Sequence, residues 1–185
     1  MTTSNSYSDA HLQTPDAVVH VFEDDGSRFP NNKRLPVVIY QNAVKLPERE
    51  PAAIFEAIFH ANQWGSSWRN GIYPYHHYHS TAHEVLGVSR GEASVRFGGD
   101  DNGKTFEVLF GDVIIIPAGV AHKNLGSSSD FQVIGAYPLG QKWDMNYGKP
   151  GERPQAERNI IQVPLPKTDP VYGQDGQLAE YWHLL

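Results

Sequence analysis

The sequence predicts a mainly β domain, and three observations carry that prediction. From Tyr73 onward, short extended runs rich in β-branched and aromatic residues alternate with turn residues: 75–79 YHHYH, 84–88 EVLGV, 93–97 ASVRF, 105–110 TFEVLF, 113–116 VIII and 131–137 FQVIGAY. The composition is turn-rich and aromatic, with 17 Gly, 13 Pro, 4 Trp, 9 Tyr and 8 Phe against only 19% charged residues, which suits β structure better than a helical bundle. A helical apolar stripe stands out in a single stretch, 51–64.

Taken in order, residues 1–16 are polar and rich in Ser and Thr, and are expected to form a flexible N-terminal arm. Residues 17–22 (AVVHVF) read as a strand, 23–36 as a loop dense in turn formers, and 37–41 (VVIYQ) as a second strand. In the helix 51–64, Pro51 suits the first position, and Ile54, Phe55, Ile58 and Phe59 form one face that should lie on a sheet. His60 falls in the last turn, where an imidazole complements the helix carbonyls, so it is not a site residue. The later runs make an antiparallel meander or barrel, in which Asp100-Asp101-Asn102-Gly103 serves as a hairpin turn. One domain is expected over 17–138. The polar, Pro-rich remainder, 139–185, keeps Trp143, Tyr172, Tyr181 and Trp182, and is expected to pack on the barrel or on a partner subunit.

At 185 residues the chain is long enough for one domain with a sizeable core. A net charge of −6 and a pI near 5.8, with no basic run, argue against nucleic-acid and acidic-membrane partners. There is no apolar run of membrane-spanning length and no secretory leader pattern, so the expected location is cytoplasmic. Without cysteine, any metal must be held by nitrogen and oxygen.

Four of the nine histidines lie between Gly71 and Gly91. In an extended segment His77 and His79 share a face, while His76 and Tyr78 point the other way. Glu84 follows at the start of the next strand, and His122 comes from a second segment punctuated by Gly111, Pro117 and Gly119. Three imidazoles and a carboxylate suit Fe, Mn, Ni or Zn. His76 and His83 are expected to face away or sit at a turn, on the surface or in support of the site. Tyr73, Tyr75 and Tyr78 are expected as core or rim aromatics, and Arg69 and Arg96 as surface arginines.

These two segments resemble the paired motifs of the cupin superfamily. The first, Gly-x5-His-x-His-x(3,4)-Glu-x6-Gly, is matched at Gly71, His77, His79, Glu84 and Gly91; the second, Gly-x5-Pro-x-Gly-x2-His-x3-Asn, is matched at Gly111, Pro117, Gly119 and His122, with Gly126 where the Asn would stand. More narrowly, the stretch 59–88 and the sequence DPVYG resemble the YjlB-like group of small single-domain cupins of unassigned function. The resemblance implies a cupin-type jelly-roll barrel, with the helix before the metal motif. It implies one divalent metal held by His77, His79, Glu84 and His122, with Fe or Mn favoured and Ni or Zn possible. The expected function is a metal-dependent enzyme acting on a small organic molecule, dioxygenase-like in the first instance, with Glu84 doubling as a catalytic base. The alternatives are a non-redox isomerase or decarboxylase, or a non-catalytic small-molecule binder. A homodimer is expected.

Overall fold

Two antiparallel sheets face one another in the computed structural model, which describes residues 9–183. The strands run β1 (Asp16–Phe22), β2 (Asn32–Gln41), β3 (Trp64–Asn70), β4 (Glu84–Arg90), β5 (Glu92–Phe97), β6 (Lys104–Leu109), β7 (Val113–Ile116), β8 (His122–Ser127) and β9 (Gln132–Pro138), with α1 (Pro51–Ala61) between β2 and β3, and α2 (Gln155–Gln162) and α3 (Leu178–Trp182) after β9. The larger sheet has the order β1-β2-β7-β4-β9-β3 and the smaller the order β6-β5-β8. Among the described residues strand far outweighs helix, so the mainly β, cupin-type barrel read from the sequence is the fold observed. No helix among the described residues is long and apolar enough to cross a membrane.

The larger sheet is covered on both faces. Its inner face meets the smaller sheet in a core of Leu86, Val88, Ile114, Ile116, Val95 and Phe97, while its outer face carries Val85, Val113, Ile115 and Ile134 under the α1 stripe of Ile54, Phe55, Ile58 and Phe59. Burial on both faces is why β4, β7 and β9 read as unbroken apolar runs. β5, open to solvent on one side, alternates instead. α1 lies so close that a Cβ on Gly87 would stand 2.5 Å from the Phe55 ring.

The tail completes the outer core. Asp169, 1% exposed, accepts hydrogen bonds from Tyr40 Oη (2.6 Å) and from the amides of Val171 (2.8 Å) and Tyr172 (3.0 Å). Trp182 is fully buried and donates its indole N–H to the Pro36 carbonyl (2.9 Å). Tyr172 donates to the Gln13 carbonyl (2.6 Å), and Leu12 bridges Val44, so residues 9–16 run along the same surface; the rest of the arm, 1–8, lies outside the described residues.

Several boundaries differ from the sequence reading. α1 stops at Ala61, because the Asn62 side chain donates to the Pro170 and Val171 carbonyls (3.0 and 2.9 Å) and Gln63 turns left-handed (φ 64°). Trp64 therefore opens β3, its indole N–H on the Thr168 carbonyl at 3.0 Å. β3 and β8 were not anticipated, since their polar residues (GSSWRN, HKNLGS) lack an apolar strand signal. The expected hairpin does join β5 to β6, but the pairing of Phe97 with Lys104 leaves a six-residue connection whose left-handed residues are Gly98 and Gly99, not Asn102 and Gly103. The Gly87→Ala substitution is expected to destabilise the protein by about 1–3 kcal/mol, because the Phe55 ring must move. Gly71→Ala, whose added methyl meets open space, should stay within about 0.5 kcal/mol of wild type. Denaturant unfolding of both variants checks this.

Candidate metal centre

The segment 75–79 is extended but pairs through single bridges rather than a strand ladder. His77 exchanges both backbone hydrogen bonds with His122 at the start of β8 (3.2 and 3.0 Å), Tyr78 does the same with Asn146 (2.9 and 3.0 Å), and the His79 carbonyl accepts from Gly119 N–H (2.8 Å). Directly paired residues carry their side chains on one side. The His77 and His122 rings accordingly stand 4.1 Å apart, centroid to centroid. Alternation then puts His79 on the same side and Tyr78 on the other, where its ring meets Phe29 and its hydroxyl meets Glu152 (3.2 Å). Glu84, the first residue of β4, points its carboxylate inward from the larger sheet.

His77, His79 and His122 are all buried, and each offers a ring nitrogen within 4.8 Å of the others'. The other nitrogen of each ring is tied down. Nδ1 of His77 faces the Tyr75 carbonyl (3.1 Å), Nδ1 of His79 the Asp144 carbonyl (2.5 Å), and Nδ1 of His122 the Val120 carbonyl (3.1 Å). A carbonyl can only accept, so each Nδ1 carries the proton and each Nε2 keeps a lone pair turned toward the cavity. Asp144 is itself held: its carboxylate accepts from Ser80 N (2.6 Å), Ser80 Oγ (2.5 Å) and Asn146 Nδ2 (2.9 Å).

Glu84 is 2% exposed, and its Oε2 lies 3.4 Å from Nε2 of both His79 and His122, without a hydrogen bond to either. Burial alone would push this carboxyl's pKa up, but the two imidazoles outweigh burial and hold it below the usual range. Burial would lower His79, and the Glu84 charge reverses that and raises it. His77, farther from a carboxylate, is pushed down to about 3 by burial, with the His122 charge acting in the same direction. Three lone pairs and an orphaned carboxylate oxygen turned to one cavity form a set of donors that fits a divalent cation.

The cavity holds about 200 Å³, room for a small molecule rather than a polymer segment. Its wall adds Trp68, Tyr137, Trp143 and Met145 to the histidines, none of which the motif spacing singled out. Trp68 and Tyr137 come from β3 and β9, and Trp143 lies in the tail. Burial raises the pKa of the Tyr137 phenol, and the Glu84 charge raises it further, so the phenol stays protonated. Tyr73 lines the cavity and stacks on Tyr75 at 5.0 Å, each 43% exposed.

His76 and His83 do turn away from the cavity, but both are buried rather than on the surface. His76 pairs with Asp100 (2.9 Å). His83 packs on Trp182, and its Nδ1 accepts the Ala118 N–H (2.9 Å), so its proton sits on Nε2. Arg69 lines the cavity but is engaged bidentately by Glu56 (2.7 and 2.8 Å), and Arg96 donates to the Gly99 and Asp100 carbonyls. Where the second motif has Gly126 for Asn, β8 bulges opposite Ser94 and Val95, and Asn124 accepts from the Gly126 N–H (2.8 Å). Side-chain nitrogen NMR of the metal-free protein should find the Nδ1–H form for His77 and the Nε2–H form for His83. His77 should remain neutral from pH 8 down to pH 5, since its folded pKa lies far below the ordinary value; titration near pH 6.5 would contradict this.

Comparison with known proteins agrees with this architecture. The family described as Cupin matches residues 68–137, which hold all four candidate ligands. The uncharacterised protein YjlB of Bacillus subtilis is 46% identical over 163 residues, which cover 88% of this chain and 94% of that one. Among solved structures, acireductone dioxygenase from Bacillus anthracis, with a cadmium ion in its active center, aligns at 16% identity and a TM-score of 0.35 over 50% of this chain and 61% of its own. Bacillus subtilis oxalate decarboxylase aligns at 18% and 0.35 over 66% and 30%, and pumpkin seed globulin at 28% and 0.35 over 44% and 22%. The chain spans about a fifth to a third of the length of the seed globulins it matches. At these TM-scores nothing of their chemistry transfers to this chain. On the near-full-length identity with YjlB and the matched motif region, the chain belongs to the cupin family, within the YjlB-like group of unassigned function.

Proposed function

We propose that this protein is a metal-dependent enzyme acting on a small organic molecule, with dioxygenase-like chemistry as the leading reading. The observation that carries the proposal is the common pattern of the three histidines, each with Nδ1–H on a backbone carbonyl, so that every Nε2 turns to the same cavity, where those of His79 and His122 lie 3.4 Å from the orphaned Oε2 of Glu84. His77, His79, His122 and Glu84 would hold one divalent ion, Fe or Mn by preference and Ni or Zn as alternatives. When bound, such an ion supplies Lewis acidity and, for Fe or Mn, redox capacity.

The chain's own groups do the rest. Pinned imidazoles keep the donors in place without rearrangement, and the apolar wall of Ile72, Leu86 and Trp68 limits water around the reacting molecule. Oε2 of Glu84, which no group of the chain hydrogen-bonds, would take a proton from an enol, a phenol or an acidic C–H when it is not held by the ion. Protein purified without chelators or an affinity-metal step should carry close to one equivalent of Fe or Mn, which the His77→Ala, His122→Ala double variant loses. Metallated wild type should consume oxygen with at least one member of a panel of enolisable and phenolic compounds. Turnover without oxygen uptake, with Zn or Ni bound, would replace this reading with a non-redox isomerase or decarboxylase, and binding without any product would leave a non-catalytic small-molecule binder.

A further inference from the structure

Two side chains outside the motif meet in the cavity wall because of one irregularity in β3. In an unbroken strand Trp64 and Trp68, four residues apart, would share a face. Gly65 stands opposite Tyr137 and Trp68 opposite Gly135, so β3 spends three residues where β9 spends two, and Ser66 takes a left-handed φ of 53°. The extra residue changes the face. Trp64 goes to the outer core and Trp68 to the inner side, beside the cavity. There β9 makes room for it, since a Cβ on Gly135 would stand 2.1 Å from the indole. The indole crosses the strand at that gap, and its Nε1–H reaches Tyr137 Oη at 2.9 Å.

An indole N–H only donates, so the Tyr137 oxygen is the acceptor, and the phenol's own hydrogen is turned to the cavity beside the Glu84 carboxylate, where an oxygen-bearing guest competes for it. Tyr137 is 3% exposed and lines the cavity together with His79, its ring centroid 5.9 Å from that imidazole. Trp143 stacks beside it at 6.1 Å with an interplanar angle of 23°, yet is 49% exposed, a broad flat surface at the mouth. Arg69, a cation in the wall, is already taken by Glu56, which leaves the phenol as a neutral donor for an oxygen-bearing guest.

We propose that Tyr137, oriented by Trp68, is the specificity-determining donor of this pocket, giving its hydrogen bond to an enolate or phenolate oxygen of a flat conjugated ligand that lies against Trp143. This rests on the reading of the cavity as a small-molecule site. Trp68 acts through Tyr137 and is a positioning residue.

The test uses 4-nitrocatechol, whose visible spectrum reports the ionisation of its hydroxyl groups, titrated into the full chain with and without Zn(II), with Zn content measured on the same samples. Tyr137→Phe is expected to weaken dye binding roughly tenfold or more. It should also raise the pH at which the bound dye ionises by about one unit, a spectroscopic change that mere loosening of the wall would not give. Trp68→Phe, which keeps an aromatic side chain and the Tyr137 phenol but removes the orienting N–H, should shift both readouts the same way by less. Equal affinity and ionisation in wild type and Tyr137→Phe, or no dye binding by wild type, overturns the proposal. The Zn content judges the metal centre separately: Tyr137-dependent dye binding by a protein that takes up no metal keeps the donor and sinks the metal centre, and metal uptake without dye binding does the reverse.

Discussion

Glu84 is a carboxylate taken out of water at the start of a central strand of an apolar sheet, and a buried charge of that kind persists only where positive charge or hydrogen-bond donors face it. Its side chain shares the inner face of β4 with Leu86 and Val88, so it cannot swing to solvent without pulling the strand apart. What faces it instead is a set of imidazoles brought from two separate segments. Their Nδ1 atoms are committed to the Tyr75, Asp144 and Val120 carbonyls, and so the nitrogens left for Glu84 and any guest are the Nε2 atoms. Two imidazoles stand at 3.4 Å but give it no satisfied hydrogen bond, which leaves one oxygen orphaned. An unsatisfied oxygen beside three imidazoles inside a core is the donor set of a cation site rather than a structural need.

The scaffold is built to keep those groups from moving. The larger sheet is compressed between an inner core shared with the smaller sheet and an outer core closed by α1, Trp64 and Trp182. The tail's hold on that outer core runs through Asp169, whose carboxylate gathers Tyr40 of β2 and two tail amides. A second tail segment reaches the site itself, since Asp144 binds His79 through its carbonyl and Ser80 through its carboxylate. Residues after β9 thus contribute both to the core and to the aim of one imidazole.

Much of this was legible in the sequence, for reasons that differ from residue to residue. His77, His79, Glu84 and His122 could be read because strand alternation and a fixed spacing place them, and alternation holds in the extended segment 75–79 even without a regular ladder. The α1 stripe was legible because its face is buried at helical period. Trp68 and Tyr137 were not, since their meeting depends on a single-residue bulge that reverses the parity of β3, and its left-handed residue is Ser66 rather than the neighbouring Gly65. The burial of His83 was not legible, because it arises from contact with Trp182, a residue 99 positions away in sequence, so no local window contains it.

The most direct measurement is an anomalous-diffraction map of crystals grown with Mn(II) or Zn(II). A single strong peak in direct contact with the Nε2 atoms of His77, His79 and His122 and with a carboxylate oxygen of Glu84 is the expected result. A map with no peak in this cavity, or with the ion bound through an Nδ1 atom, would contradict the pinned-imidazole centre on which the functional reading stands.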